Sequence, residues 1–272
     1  MTTQAVPSQS PTPRVRRRPL GATSRRDRWW LTPALTATTL TVFAIYSIVA
    51  AAMNTDYDYL KGGARYLSPF YSPDLRSLFG LHIPFTYAFF VIWAPLGLRT
   101  TCYYYRKAYY RSFFLTPPSC AVVGRPQAKG RGYTGESRLP LILQNVHRFF
   151  FWFAVAVLGF LWYDAIRAFF YKTSTGTHFG IGLGGVVMLV NVILLSGFTF
   201  GCNSFRHLIG GRLDCFTCSA SARARHGAWQ KVSILNRRHA NWAWFSLFSV
   251  GLTDLYIRLA SAGAFTDPHH VF

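Results

Sequence analysis

Five apolar runs, each about as long as the roughly 20-residue helix that crosses a bilayer's hydrocarbon core, dominate this sequence: residues 31–53, 81–98, 149–171, 179–200 and 240–260. Inside lipid a backbone must satisfy its own hydrogen bonds, so such runs fold as helices. The expected fold class is therefore all-α, a polytopic membrane protein built as a five-transmembrane-helix bundle. The chain is 51% hydrophobic yet carries a formal net charge of +20, so its charge must be segregated from its apolar mass. Of its 29 Lys and Arg residues, 7 fall in residues 1–30, 9 in 99–148 and 7 in 206–238. An odd number of spans puts the termini on opposite sides. The excess of cations then places the N-terminus and both long loops in the cytoplasm and the C-terminus outside.

The domain organisation follows. Residues 1–30 read as a disordered basic cytoplasmic arm without a cleavable signal, because the apolar segment behind it is long enough to span. Residues 31–260 form the five-helix domain with inner loops 99–148 and 203–239, and 261–272 form a short outer tail. The first inner loop opens with "TCYYYRKAYYRSFF", whose aromatic and cationic residues suit an amphipathic helix in the interface. The cationic balance reports topology and contact with anionic lipid rather than nucleic acid, since no nucleic-acid-binding motif is present.

On this topology all five cysteines lie at the inner face, with His147, His207, His226 and His239. A reducing compartment disfavours structural disulfides and leaves thiols free as ligands. In "DCFTC" the spacing of Cys215 and Cys218 lets two sulfurs reach one metal. His207 after the fourth span and His239 at the mouth of the fifth complete an expected metal set of His207, Cys215, Cys218 and His239. Cys202, His147, Cys120 and Cys102 stand as substitutes. Two thiolates with two imidazoles suit a Rieske-type two-iron two-sulfur (2Fe-2S) cluster, and zinc fits the same donors. A haem b between His147 and His239 is the competing reading.

Asp164 and Asp254 lie at similar depth in spans three and five, with Arg167 and Arg258 three and four residues downstream. Ionisable groups there are costly and should be paired, either as helix-locking ion pairs or in proton or quinone traffic. Near the inner rim, Arg99, Tyr103, Tyr104, Arg148 and Trp242 offer hydrogen-bond donors and an apolar slot for a quinone.

The segments "TCYYYRKAYYRSFF", "LPLILQNVHRFF", "CNSFRHLIGGRL", "LNRRHANWAWFSL" and "LTDLYIRL" resemble the membrane-anchor (cytochrome b-like) subunit of actinobacterial succinate dehydrogenase (respiratory complex II), the mycobacterial first-type enzyme in particular. The resemblance covers residues 99–259. It implies a plasma-membrane subunit with no succinate site of its own, docked at its inner face on an iron–sulfur subunit, with a flavoprotein subunit beyond. It also implies electron delivery to menaquinone; whether the complex forms a higher oligomer is left open by the sequence. Asn203 and Phe205 depart from the family pattern after span four, so "DCFTC" is expected to supply thiolates to a Rieske-type cluster, with haem b as the alternative. In a different class, a small transporter would use the intramembrane carboxylates and a span four broken at "GIGLGG". An anchor without any cofactor is the third reading.

Overall fold

A computed structural model describes residues 18–80, 86–125 and 142–272, so most of the basic arm and the Gly-rich stretch 126–141 lie outside the described residues. The chain is mostly helical. Helix α1 (Leu31–Met53) coincides with the first apolar run. One side of it is largely apolar and exposed, including Leu35, Val42, Ile45, Ile48 and Val49, as befits a helix facing lipid. After a short helix α2 (Leu75–Phe79), α3 (Ala88–Thr101) returns along the body and α4 (Tyr103–Ser112) follows as the expected amphipathic helix. Helix α5 (Ile142–Arg167) starts seven residues before the expected third span. Helix α6 (Leu183–Phe200) packs between α5 and the last long helix, α9 (His239–Ser261). The loop expected over 203–239 instead holds two helices, α7 (Asn203–Gly210) and α8 (Ala220–Arg237).

Three of these segments are long and apolar enough to cross a membrane: Leu31–Met53, Asn145–Arg167 and Leu183–Phe200. Helix α3 has 14 described residues, and residues 81–85 of the expected second span lie outside the described ones. Helix α9 has 23 residues but carries Asp254 and Arg258. Three helices therefore have the length and composition of spans, while among the described residues α3 is shorter and α9 carries two charges.

The all-α expectation needs amendment at the end of the body away from the cysteines. There β1 (Asp58–Tyr59) and β2 (Tyr66–Leu67) form a two-stranded ribbon. Strands β3 (Phe170–Thr173), β4 (Gly176–Gly182) and β5 (His269–Val271) form an antiparallel sheet in that order. The register pairs Phe170 with Phe179 and Gly180 with Val271. "GIGLGG" thus does not break a helix within the membrane; its first half is strand, and α6 begins at Leu183. A side chain at Gly182 would collide with Tyr66, Tyr171 and Asp267, which fixes glycine there.

The C-terminal tail is part of this cap. The α6 N-terminus has no cap from its own Gly182, and Asp267 supplies one from 83 residues away, accepting from the Gly184 amide at 2.8 Å. The Tyr66 hydroxyl donates to the same carboxylate at 2.8 Å and Tyr256 at 2.5 Å. At the other end, Gly21 and Val123 are joined by a backbone hydrogen bond of 2.8 Å, and Arg25 donates to Ser119 at 2.9 Å. The first described residues and the tail therefore occupy opposite ends of the helical body.

Candidate functional site

Two cysteines occupy matching positions at the basic end. Cys102 separates α3 from α4 and Cys202 separates α6 from α7, each in an extended conformation at the start of a surface helix. Such N-termini favour negative charge. Both are buried, at 3% and 4% exposure. Burial pushes the Cys102 thiol up to about 11 and raises the Cys202 thiol as well. Thiols held this way keep their protons at neutral pH until a metal cation displaces them.

Each thiol faces an imidazole. His147, in the second turn of α5, has Nε2 3.0 Å from Cys202 Sγ, and its Nδ1 is 2.8 Å from the Thr101 hydroxyl. His239, the first residue of α9, has Nε2 3.6 Å from Cys102 Sγ. Its ring stacks on Phe198, with centroids 5.1 Å apart. The remaining nitrogen of His239, Nδ1, is buried with no hydrogen-bond partner among the described residues. All four side chains line one cavity of about 950 Å³.

Of the expected set, His239 and His207 line this cavity and the two cysteines do not. His239 is the member that faces a thiol, joined by Cys102, Cys202 and His147 from among the substitutes. His207 is exposed at the rim, because α7 carries it away from Cys202. Against the expectation of free thiols, Cys215 and Cys218 are bonded to each other in the turn between α7 and α8, with Cys215 half-buried and Cys218 exposed, so neither sulfur reaches the cavity. Cys120 is exposed beside Arg25. Among the described residues no three His, Cys, Asp or Glu side chains converge on a point where a single ion would sit. The arrangement consists of two thiol–imidazole pairs sharing one chamber.

A second cavity, about 570 Å³ and almost wholly apolar, opens between α1 and α3 and ends at Arg99 and Tyr105. Arg99 is buried and donates to Ser246 Oγ at 3.0 Å and to the Ala243 carbonyl at 3.3 Å. Of the five residues expected around a quinone, Arg99 alone lines this cavity. Tyr103, Tyr104 and Arg148 line the polar chamber, and the Trp242 indole packs on Gly197 with its N–H unpaired among the described residues.

The intramembrane charges divide. Arg258 donates to Asp254 at 2.8 Å and also to the Thr55 and Ala50 carbonyls, while the Tyr46 hydroxyl donates to Asp254 at 2.5 Å. This pair ties α9 to α1, the helix-locking role. Asp164 instead accepts from Ser72 at 2.6 Å, and Arg167 reaches the Tyr163 hydroxyl at 3.5 Å, so the expected Asp164–Arg167 pair does not form.

Thr101 and Phe198 escaped the sequence reading, whereas Tyr105 belongs to the aromatic and cationic belt that the sequence places around the inner rim. Thr101 was detectable as the hydroxyl neighbour of a cysteine at a span boundary, whereas Phe198 carries no signal beyond its apolar surroundings.

Comparison with known proteins places these features. The family model described as actinobacterial succinate dehydrogenase subunit SdhC matches residues 31–263. A chain of the Mycobacterium smegmatis Sdh1 complex in the apo form is 42% identical, with a TM-score of 0.79, covering 94% of this chain and 96% of its own. No curated protein matches the sequence.

Proposed function

The chain belongs to the actinobacterial succinate dehydrogenase SdhC family, and from that premise we propose that it passes electrons to menaquinone through a 2Fe-2S cluster held by Cys102, Cys202, His147 and His239. It is the membrane subunit of an oxidoreductase and partners with the flavoprotein and iron–sulfur subunits. The observation that carries the cluster reading is the orphaned Nδ1 of His239 in a chamber where two buried thiols and two imidazoles already face one another.

A dinuclear group asks for two protein donors on each metal, which two pairs can give and a single-ion cage cannot. Two sulfurs and two imidazole nitrogens are the Rieske donor set. Bound there, the cluster supplies a one-electron store. Zinc accepts the same donors but stores no electron, which sets it against the family's chemistry. Haem b is less well supported, because Nε2 of both histidines faces a thiol at 3.0 and 3.6 Å.

The chain's own residues prepare this chamber. The Thr101 hydroxyl fixes the ring of His147, and Phe198 holds the ring of His239. Phe151 and Leu98, both buried, shield the thiols from water. The apolar cavity ending at Arg99 and Tyr105 suits an isoprenoid quinone. The basic end supports the five-span reading with that end in the cytoplasm, where the iron–sulfur subunit docks.

The test is the complex purified with its partner subunits. Iron and acid-labile sulfide should exceed the partners' own complement by two each per complex. C102S, C202S and H147A should each remove that excess and a rhombic low-temperature spin signal, while C215S leaves both. Retention of the signal in C102S and C202S, or zinc in place of the iron, overturns the proposal.

A further inference from the structure

Arg99 is a buried cation for which no carboxylate lies within ion-pairing distance among the described residues. Its hydrogen bonds all go to neutral groups: Ser246 Oγ, the Ala243 carbonyl and the Tyr105 hydroxyl. Burying a lone charge opposes folding, so a site that keeps one has a use for positive potential.

The surroundings say where that potential falls. The guanidinium carbon lies 4.6 Å from the centroid of Phe198, the ring on which His239 stacks. Cys102 follows one turn later, its amide donating to the Arg99 carbonyl at 3.2 Å. Little water intervenes, because Leu98, Tyr105, Phe198 and Ala243 are all buried.

We propose that Arg99 is a positioning residue of electrostatic kind, a fixed cation that raises the reduction potential of the centre held by Cys102, Cys202, His147 and His239. The inference rests on the cluster reading above. In the oxidised cluster two ferric ions, two sulfides, two thiolates and two neutral imidazoles sum to zero charge. One electron from the iron–sulfur subunit leaves a single negative charge and releases no group. A fixed cation nearby favours that reduced form, the more so in a poorly screened interior.

The experiment is a redox titration of the quinone-depleted complex, followed by its rhombic spin signal. In R99Q the equilibrium constant for reduction should fall at least tenfold, a drop of about 59 mV for one electron. In S246D the cation remains but gains a carboxylate beside it, and the potential should fall likewise. R99K, which keeps the charge, should shift less than either. Should R99Q fail to assemble, S246D decides alone. A merely structural role predicts poorer yield at unchanged potential, and an unchanged potential in the variants that assemble overturns the inference. A wild-type complex with no such signal and no extra iron refutes the cluster reading instead, so the two failures are distinguishable.

Discussion

Thr101 holds Nδ1 of His147 at 2.8 Å and so turns Nε2 toward Cys202. Removing a hydrogen bond that aims a ligand typically costs 10–100-fold in metal affinity. T101V should therefore lose iron at a chelator concentration that spares the wild type, and T101S should retain it; equal iron in all three would contradict the role. Asp254 tests burial instead of ligation. Deleting one partner of a buried ion pair costs about 3–5 kcal/mol, so D254A should lower the complex's melting temperature clearly. R167Q, half-buried and unpaired with Asp164, should cost much less than D254A, on the order of 0.5–1 kcal/mol. At the cap, burial works to raise the Asp74 carboxyl, but the Ser77 amide and the Arg65 guanidinium outweigh it and hold the group below its usual range. A lowered folded value means stability present above the unfolded value of about 4 and lost as pH falls through the folded one. Amides of α2 should exchange faster below that pH in the wild type. D74N should show the faster exchange already at neutral pH, having lost a cap worth about 1 kcal/mol.

Between elements, two glycines set how closely the helices around the site approach. A Cβ on Gly97 would strike the Phe150 ring where α3 meets α5, and one on Gly197 would meet the Trp242 ring where α6 meets α9. Gly159, on α5, has open space around it. G97A should therefore loosen the pairing that brings Thr101 to His147 and deplete iron, whereas G159A should gain up to about 1 kcal/mol from helix propensity; equal iron content in the two would contradict this account. The same scale explains what the sequence revealed. Helix α1 and the amphipathic α4 were legible because a long apolar run and an aromatic–cationic pattern are local signals. The β3–β4 hairpin was hidden because Phe170, Tyr171, Phe179 and Ile181 read as the flanks of apolar runs, yet β4 gains its partner from β5 some 90 residues on. For the site, "DCFTC" outweighed depth, whereas the four side chains that share the chamber, Cys102, Cys202, His147 and His239, are those that sit at helix ends on one rim. Which thiol meets which imidazole depends on helix order, which spacing alone does not encode.

Across the whole molecule, the basic segments and the two thiol–imidazole pairs share one end, while the sheets and the C-terminal tail close the other. A cytoplasmic basic end predicts that a cysteine placed at Lys231 in intact cells resists an impermeant thiol reagent, and that one placed at His270 reacts. The reverse pattern would invert the assigned topology. The account as a whole turns on nitrogen as well as sulfur holding the metal. Pulsed electron paramagnetic resonance of the reduced, purified complex measures that directly. It should resolve hyperfine couplings from two imidazole nitrogens, both lost together with the rhombic signal in H147A and in H239A. A spectrum without nitrogen couplings, or one unchanged by either substitution, would contradict it.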